Sequence, residues 1–164
     1  MPLQTALQQY PVSLQLGHEA TTQSQFRFNF QAYADLSNAS ATPIAYGSVV
    51  TRQADGTWAL ISAATQTNQK AIVMWDYRLS SKIAYLPSEP LNLEMVGDIV
   101  IQTIAGIAIK AGDPLFVYVA GANVGQFSNV LDAVPANTLK VGGFFLDDKP
   151  ITNTLTGIVF NFMV

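Results

Sequence analysis

Apolar and polar residues alternate in short runs over most of the chain, and each run ends at residues that favour turns. In Phe26–Tyr33, aromatic residues alternate with polar ones, which places Phe26, Phe28 and Phe30 on one face of a half-buried strand. Glycine, proline, asparagine and aspartate separate such runs, so we expect about nine to eleven short strands at intervals of roughly ten residues. No stretch has the periodicity of an amphipathic helix. The pattern predicts an all-β sandwich or barrel.

The stretch Leu91–Phe127 carries the clearest turn signals. Gly112 can adopt a positive φ without steric cost, and Pro114 favours the start of a strand over its interior. The next strand is therefore expected at Leu115–Val119. Strand breaks are predicted at Gly97-Asp98, Gly106, Ala111-Gly112-Asp113-Pro114 and Gly121-Ala122-Asn123.

Several further elements follow from the same signals. Ser80–Pro90 is expected to be an irregular loop at the rim of the fold, because its prolines keep it out of a central strand, and Tyr85 and Leu86 are its candidate contact residues. Ser128–Thr138 is expected to form a loop or one short helix. Gly142-Gly143 allows two backbones to approach closely. The other predicted strands are Ile44–Thr51 with a bend at Gly47, Thr57–Ile61 after a hairpin turn at Asp55-Gly56, Lys70–Tyr77, Val141–Leu146 and Thr156–Val164.

Residues 1–25 differ from the rest of the chain. They hold six glutamines but too little apolar periodicity to build a core of their own. We expect an extended N-terminal arm here, followed by a single β domain over residues 26–164. Such an arm either stays loose or lies along a neighbouring subunit, and its contact residues would then be Tyr10, Val12, Leu14 and Leu16, which share one face of an extended chain. The segment has the features of neither a signal peptide nor a membrane anchor.

The composition indicates a surface that is covered by other subunits. Only 12% of the residues are charged and 49% are hydrophobic, whereas about 25% charged residues is usual for a soluble domain. The net charge is −3 and the eight basic residues are scattered singly, so nucleic acid is not an expected partner. The apolar run Ile99–Ile109 is too short to span a bilayer as a helix, so no membrane association is expected.

The sequence contains no convincing constellation for catalysis or metal binding. Its sole histidine, His18, lies in the predicted arm, and there is no cysteine. Most acidic residues fall in turns or loops, where turn geometry explains them, and only Asp76 and Glu94 fall within predicted strands. We therefore expect a protein that is not an enzyme and that has no metal or cofactor site. Trp58, Trp75 and Tyr77 keep open an alternative, a carbohydrate-binding or tail-associated receptor-binding module, although a role in the core suits those rings better.

The stretch Ile44–Phe127 resembles a known family. Its Ile44-Ala45-Tyr46-Gly47-Ser48-Val49-Val50, Ala111-Gly112-Asp113-Pro114 and Gly125-Gln126-Phe127 segments are similar to patterns in the structural cement, or head-decoration, proteins of tailed bacteriophages. The resemblance implies a small β-barrel or jelly-roll-like domain that binds the outside of the major capsid protein shell. It also implies bridging of neighbouring capsomer subunits and self-association as a trimer or dimer. The protein would be made in the host bacterial cytoplasm and carried on the virion.

Overall fold

A computed structural model describes residues 29–31, 39–75, 83–152 and 154–163. Over these ranges the chain forms strands and one 3₁₀ turn, Pro135–Asn137, which confirms the predicted all-β fold. None of the described segments is a helix long and apolar enough to cross a membrane. The strands are β1 Asn29–Gln31, β2 Ile44–Ala45, β3 Val49–Arg52, β4 Trp58–Leu60, β5 Lys70–Val73, β6 Ala84–Tyr85, β7 Asn92–Glu94, β8 Val96–Gln102, β9 Pro114–Tyr118, β10 Phe127–Ser128, β11 Thr138–Phe145 and β12 Leu155–Asn161.

The strands form two five-stranded sheets and one small sheet. The first sheet has the order β1-β7-β5-β3-β4, the second has the order β10-β9-β11-β12-β8, and β2 pairs with β6. Neighbouring strands in all three sheets are antiparallel. A parallel bridge between Thr103 and Phe127 brings the chain after β8 next to β10, at the opposite edge of the second sheet. The second sheet therefore curls towards a closed barrel.

Two hydrophobic clusters hold these layers together. The larger cluster fills the space between the five-stranded sheets, and the smaller one lies between the first sheet and the small sheet β2-β6. Strand β5 and the residue after it contribute to both clusters, because Ile72 and Met74 enter the larger cluster while Ala71 and Val73 enter the smaller one. The strand predicted at Lys70–Tyr77 is confirmed over Lys70–Val73, and the described residues Met74 and Trp75 lie beyond its end.

Several predicted turns and close approaches are confirmed. Gly112 has φ 88°, and the strand β9 starts two residues later at Pro114. Gly143 has φ 130°, and a Cβ there would lie 2.9 Å from the Cα of Phe160 in the neighbouring strand. A Cβ at Gly142 would lie 2.8 Å from the carbonyl oxygen of Asn161. The glycine pair is therefore needed for the close contact between β11 and β12.

The predicted break at Gly97-Asp98 is wrong. Both residues lie within β8, which pairs with β12 over its full length from Val96 to Gln102. The continuous ladder of backbone hydrogen bonds outweighs the turn preference of a glycine-aspartate pair. A Cβ at position 97 would overlap the carboxylate end of the Glu94 side chain, which would have to move to make room for it.

Candidate interaction surfaces

The first candidate surface is the outer turn, residues 83–90, which includes β6 of the small sheet. Ile83 is 86% exposed and Leu86 is 47% exposed. The turn is nevertheless well fixed: the amide of Leu86 donates to the Glu89 carboxylate at 2.8 Å, and the amide of Glu89 donates to the Leu86 carbonyl at 3.2 Å. Ser88 adopts φ 66°, a left-handed conformation that costs energy for a residue with a Cβ. Leu86 thus projects from a hydrogen-bonded backbone, and the exposed Ile83 stands just before β6.

Tyr85 supports this turn from beneath. Its ring is buried and meets the ring of Tyr46 edge to face, with 5.4 Å between the ring centres. Its hydroxyl donates to the carbonyl of Met74 and accepts from the amide of Asn92, both at 3.3 Å. The two neighbouring residues predicted as contacts are therefore not equivalent. Tyr85 belongs to the core and is not accessible to a partner in this structure, whereas Leu86 is on the surface.

The second candidate surface is a connection that crosses the face of a strand. Strands β10 and β11 flank β9, and both are antiparallel to it, so they run parallel to each other. The chain leaves β10 at Ser128, opposite Phe116, and enters β11 at Thr138, opposite Tyr118. Parallel strands need a crossover connection. The inner face of β9 packs in the larger core, so residues 129–137, the crossover loop, pass over its outer face.

A carboxylate under the middle of the crossover loop fixes its backbone. The Asp132 carboxylate accepts hydrogen bonds from the amide of Val134 at 2.7 Å and from the side-chain amide of Asn137 at 3.3 Å. The Asp132 carboxylate also lies near enough to the phenol of Tyr118, on the outer face of β9, to act on it electrostatically. Burial raises the pKa of the Tyr118 phenol, and the negative charge of Asp132 acts in the same direction. The one charged side chain of the loop is thus already hydrogen-bonded to other residues of this chain.

A second carboxylate fixes the start of the same loop. The side-chain amide of Asn129 donates to the Asp113 carboxylate at 2.7 Å and to the carbonyl of Ala108 at 3.1 Å. The same oxygen of Asp113 accepts the backbone amide of Lys110 at 2.9 Å. The hydrogen bond from the Lys110 amide, followed by the one from Asn129, lowers the pKa of the Asp113 carboxyl. The predicted turn at Asp113 therefore also anchors a loop that is distant in sequence.

The crossover loop turns its apolar side chains outward. Val130, Leu131 and Val134 are 52%, 53% and 55% exposed, while Asn129 bonds to a neighbouring segment and Asp132 bonds to other residues of the loop itself. This arrangement is the reverse of an ordinary solvated loop, and it is typical of a surface that meets a partner. The sequence interpretation missed this surface. Its signal was present, since residues 129–137 combine three large aliphatic residues with a single charged one. Other exposed hydrophobic side chains come singly from separate segments, namely Phe144, Ile151 and Met163.

The described aromatic and acidic residues singled out from the sequence are placed as follows. Trp58 is buried in the smaller cluster and Trp75 packs against that cluster, so Trp58 cannot stack on a sugar. Across the parts of the chain that the structure describes, no group of three or more histidine, aspartate or glutamate side chains could hold a metal ion. Some residues singled out from the sequence lie outside the described ranges: Tyr10, Val12, Leu14, Leu16, His18, Asp76 and Tyr77.

Two comparisons with known proteins both find capsid proteins of a bacteriophage. The sequence model of a family described as XM1 gp53 minor capsid protein matches residues 7–159. A chain of the solved structure "The capsid of Myoviridae Phage XM1" has a TM-score of 0.68 to this chain, with 14% sequence identity and full coverage of both chains. At that identity the likeness concerns the fold. The curated proteins contain no significant match.

Proposed function

Because the chain belongs to the XM1 gp53 minor capsid protein family, we propose that it is a capsid cement protein that stabilises the shell by bridging neighbouring capsomer subunits. Membership of this family makes the chain a structural component of the bacteriophage virion. We propose in addition that the chain binds the outside of the major capsid protein shell and that it acts there by bridging subunits. It also includes synthesis in the host bacterial cytoplasm and a role without catalysis.

The observation that carries the bridging proposal is the presence of two fixed apolar surfaces on different layers of the fold. The outer turn belongs to the small sheet that covers the first five-stranded sheet, whereas the crossover loop lies on the outer face of the second. A chain with two such surfaces can contact two neighbours at once. Each contact can be weak, because a shell repeats it many times and linked contacts reinforce each other through effective concentration.

The proposed partners are the major capsid protein and further copies of this chain, assembled as a trimer or dimer at local symmetry axes. Nucleic acid is not proposed as a partner, because the eight basic residues of the chain are scattered singly through the sequence. The N-terminal arm, residues 1–25, remains a predicted contact through Tyr10, Val12, Leu14 and Leu16.

The first test is the copy number of the chain relative to the major capsid protein in purified virions, measured by quantitative mass spectrometry. A ratio within a few-fold of one is the expected result for a protein that covers the shell. A handful of copies per particle, as for tail parts, would contradict the proposal and favour a receptor-binding module. Labelling of intact virions with a reagent that cannot enter the shell would show whether the chain is outside.

A second test concerns the arm and the stabilising action. Purified full-length chain added to shells that lack it is expected to raise the temperature at which the shells disassemble. A chain without residues 1–25 is expected to keep its β fold by circular dichroism but to lose binding. Unchanged binding of the truncated chain would remove the arm from the proposed mechanism and leave the role of the loops intact.

A further inference from the structure

We propose that the crossover loop is the surface that docks onto the shell, and that its site on the major capsid protein is an apolar recess without charged side chains. This inference rests on the proposed function and adds the contact surface and its chemistry. It starts from Val130, Leu131 and Val134, which stand about half exposed on a loop whose side chains Asn129 and Asp132 are already hydrogen-bonded within the molecule.

The charge of the loop determines the kind of contact. Asp132 is the single charged residue among positions 129–137, and its carboxylate already accepts hydrogen bonds from Val134 and Asn137. Removing that carboxylate from its donors to reach a partner would leave two groups without their acceptor. The loop therefore offers mainly apolar surface, and its one charge is half-buried and bonded within the loop. A contact of this kind depends on hydrophobic burial, which salt screening does not weaken.

The fixed backbone of the loop favours binding. At the start of the loop, the Asn129 side chain is bonded to Asp113 and Ala108. At its end, the hydroxyl of Thr138 accepts a hydrogen bond from the amide of Asp132 at 3.4 Å. Ordering a flexible loop during association costs free energy for each side chain and backbone unit that becomes immobile. Here most of that cost has been met during folding, so three aliphatic side chains can give a useful contact.

The size and position of the surface argue for the shell as the occupant. Three half-exposed aliphatic side chains offer far less than the ~800 Å² per partner of a stable complex between two proteins. The loop also lies on the outside of β9, so two copies facing each other would pack one projecting loop against another. A small contact becomes effective where a lattice repeats it and other contacts of the same chain act with it. The capsid shell is such a lattice.

The test uses the full chain and purified shells that lack it. The variant Val130→Ser/Leu131→Ser/Val134→Ser removes the apolar surface, and Ile151→Ser/Met163→Ser is a control in which residues of 58% and 59% exposure are changed on other segments. We expect the first variant to bind the shell at least about tenfold more weakly and the control to bind within about threefold of the wild type. Wild-type affinity is expected to change less than about twofold between 50 and 500 mM NaCl.

The outcomes separate the two levels of the proposal. If the wild-type chain binds shells and the crossover-loop variant binds equally well, the docking surface is elsewhere and the cement function stands. A control that loses as much affinity as the variant would also overturn the assignment, as would a steep loss of wild-type affinity with salt.

If the variant keeps shell binding but lowers the mass of the free chain in sedimentation, the loop joins copies of the chain instead. If the wild type fails to bind shells, the proposed function itself fails. Thermal unfolding and the single variant Leu131→Ser check that any loss does not come from misfolding.

Discussion

The outer turn and the crossover loop both present aliphatic side chains on a fixed backbone, but different parts of the molecule fix them. The outer turn stands on a buried aromatic ring, that of Tyr85, which belongs to the smaller hydrophobic cluster. The crossover loop is held by two carboxylates, those of Asp132 and Asp113, above the outer face of the second sheet. The order of the turn is thus coupled to the core, whereas the order of the loop depends on a polar network near the surface.

This difference matters for a protein that works by contact. A surface coupled to the core can lose its shape only when the fold is weakened, because buried packing and the turn depend on the same ring. A surface held by hydrogen bonds can open locally at a lower free energy than global unfolding. The comparison predicts that mutations beneath the turn lower global stability, while mutations beneath the loop act mainly on local opening.

The largest effect is expected for Tyr85→Ala. Removing the ring leaves a cavity in the smaller cluster, so the free energy of unfolding should fall by about 3–5 kcal/mol, measured by urea denaturation. Tyr85→Phe is the matched control, because it keeps the ring and removes only the hydroxyl that bonds Met74 and Asn92. We expect it to cost about 1 kcal/mol. A loss below about 1 kcal/mol for the alanine variant would show that the ring does not support the fold as argued.

A smaller effect is expected for Asp132→Ala. The amide of Val134 and the side chain of Asn137 lose their common acceptor. Because water can reach much of this network, the global free energy of unfolding should fall by only about 1–2 kcal/mol. Hydrogen exchange of the Val134 amide should accelerate more than that of core amides such as Val117.

Asp132→Asn retains one acceptor oxygen and should fall between the wild type and the alanine variant. If exchange accelerates equally at Val134 and in the core, the loop is coupled to the core after all, and the contrast with the outer turn disappears. If neither changes, the carboxylate does not hold the loop.

Much of the fold could be predicted from local sequence signals. The hairpin turn at Asp55-Gly56, the bend at Gly47 and the turn at Gly112 each need a positive φ that glycine supplies, and all three glycines have it. The short strands β2, β6 and β10 have only two residues each, which is too few for an alternating pattern to be visible.

The candidate surfaces were harder to predict, because they depend on contacts between distant segments. Tyr85 and Leu86 look equally suited to an interface in the sequence. Pairing of β6 with β2 directs Tyr85 into the core, whereas Leu86 stays on the surface. The crossover loop depends on the position of β9 between β10 and β11, which no local pattern encodes. In the same way, pairing with β12 rather than residue type decides that Asp98 lies in a strand.

The smallest effect concerns pH and the anchor at Asp113. Its pKa in the folded chain is lower than the ordinary value of 3.8, chiefly because the Lys110 amide donates to the ionised carboxylate. The stabilisation is therefore fully present above about pH 4 and is lost as the pH falls below that value towards the folded pKa. Because the group is largely solvated, we expect it to contribute less than about 1 kcal/mol to the free energy of unfolding.

Asp113→Asn should be less stable than the wild type at pH 7, and the difference should disappear near pH 2. The amide resonance of Lys110 and the side-chain amide resonance of Asn129 should follow one titration in the wild type and none in the variant. A wild-type midpoint at or above 3.8 would mean that these hydrogen bonds do not favour the ionised form, and the crossover loop would then depend on Asp132 alone among its carboxylates.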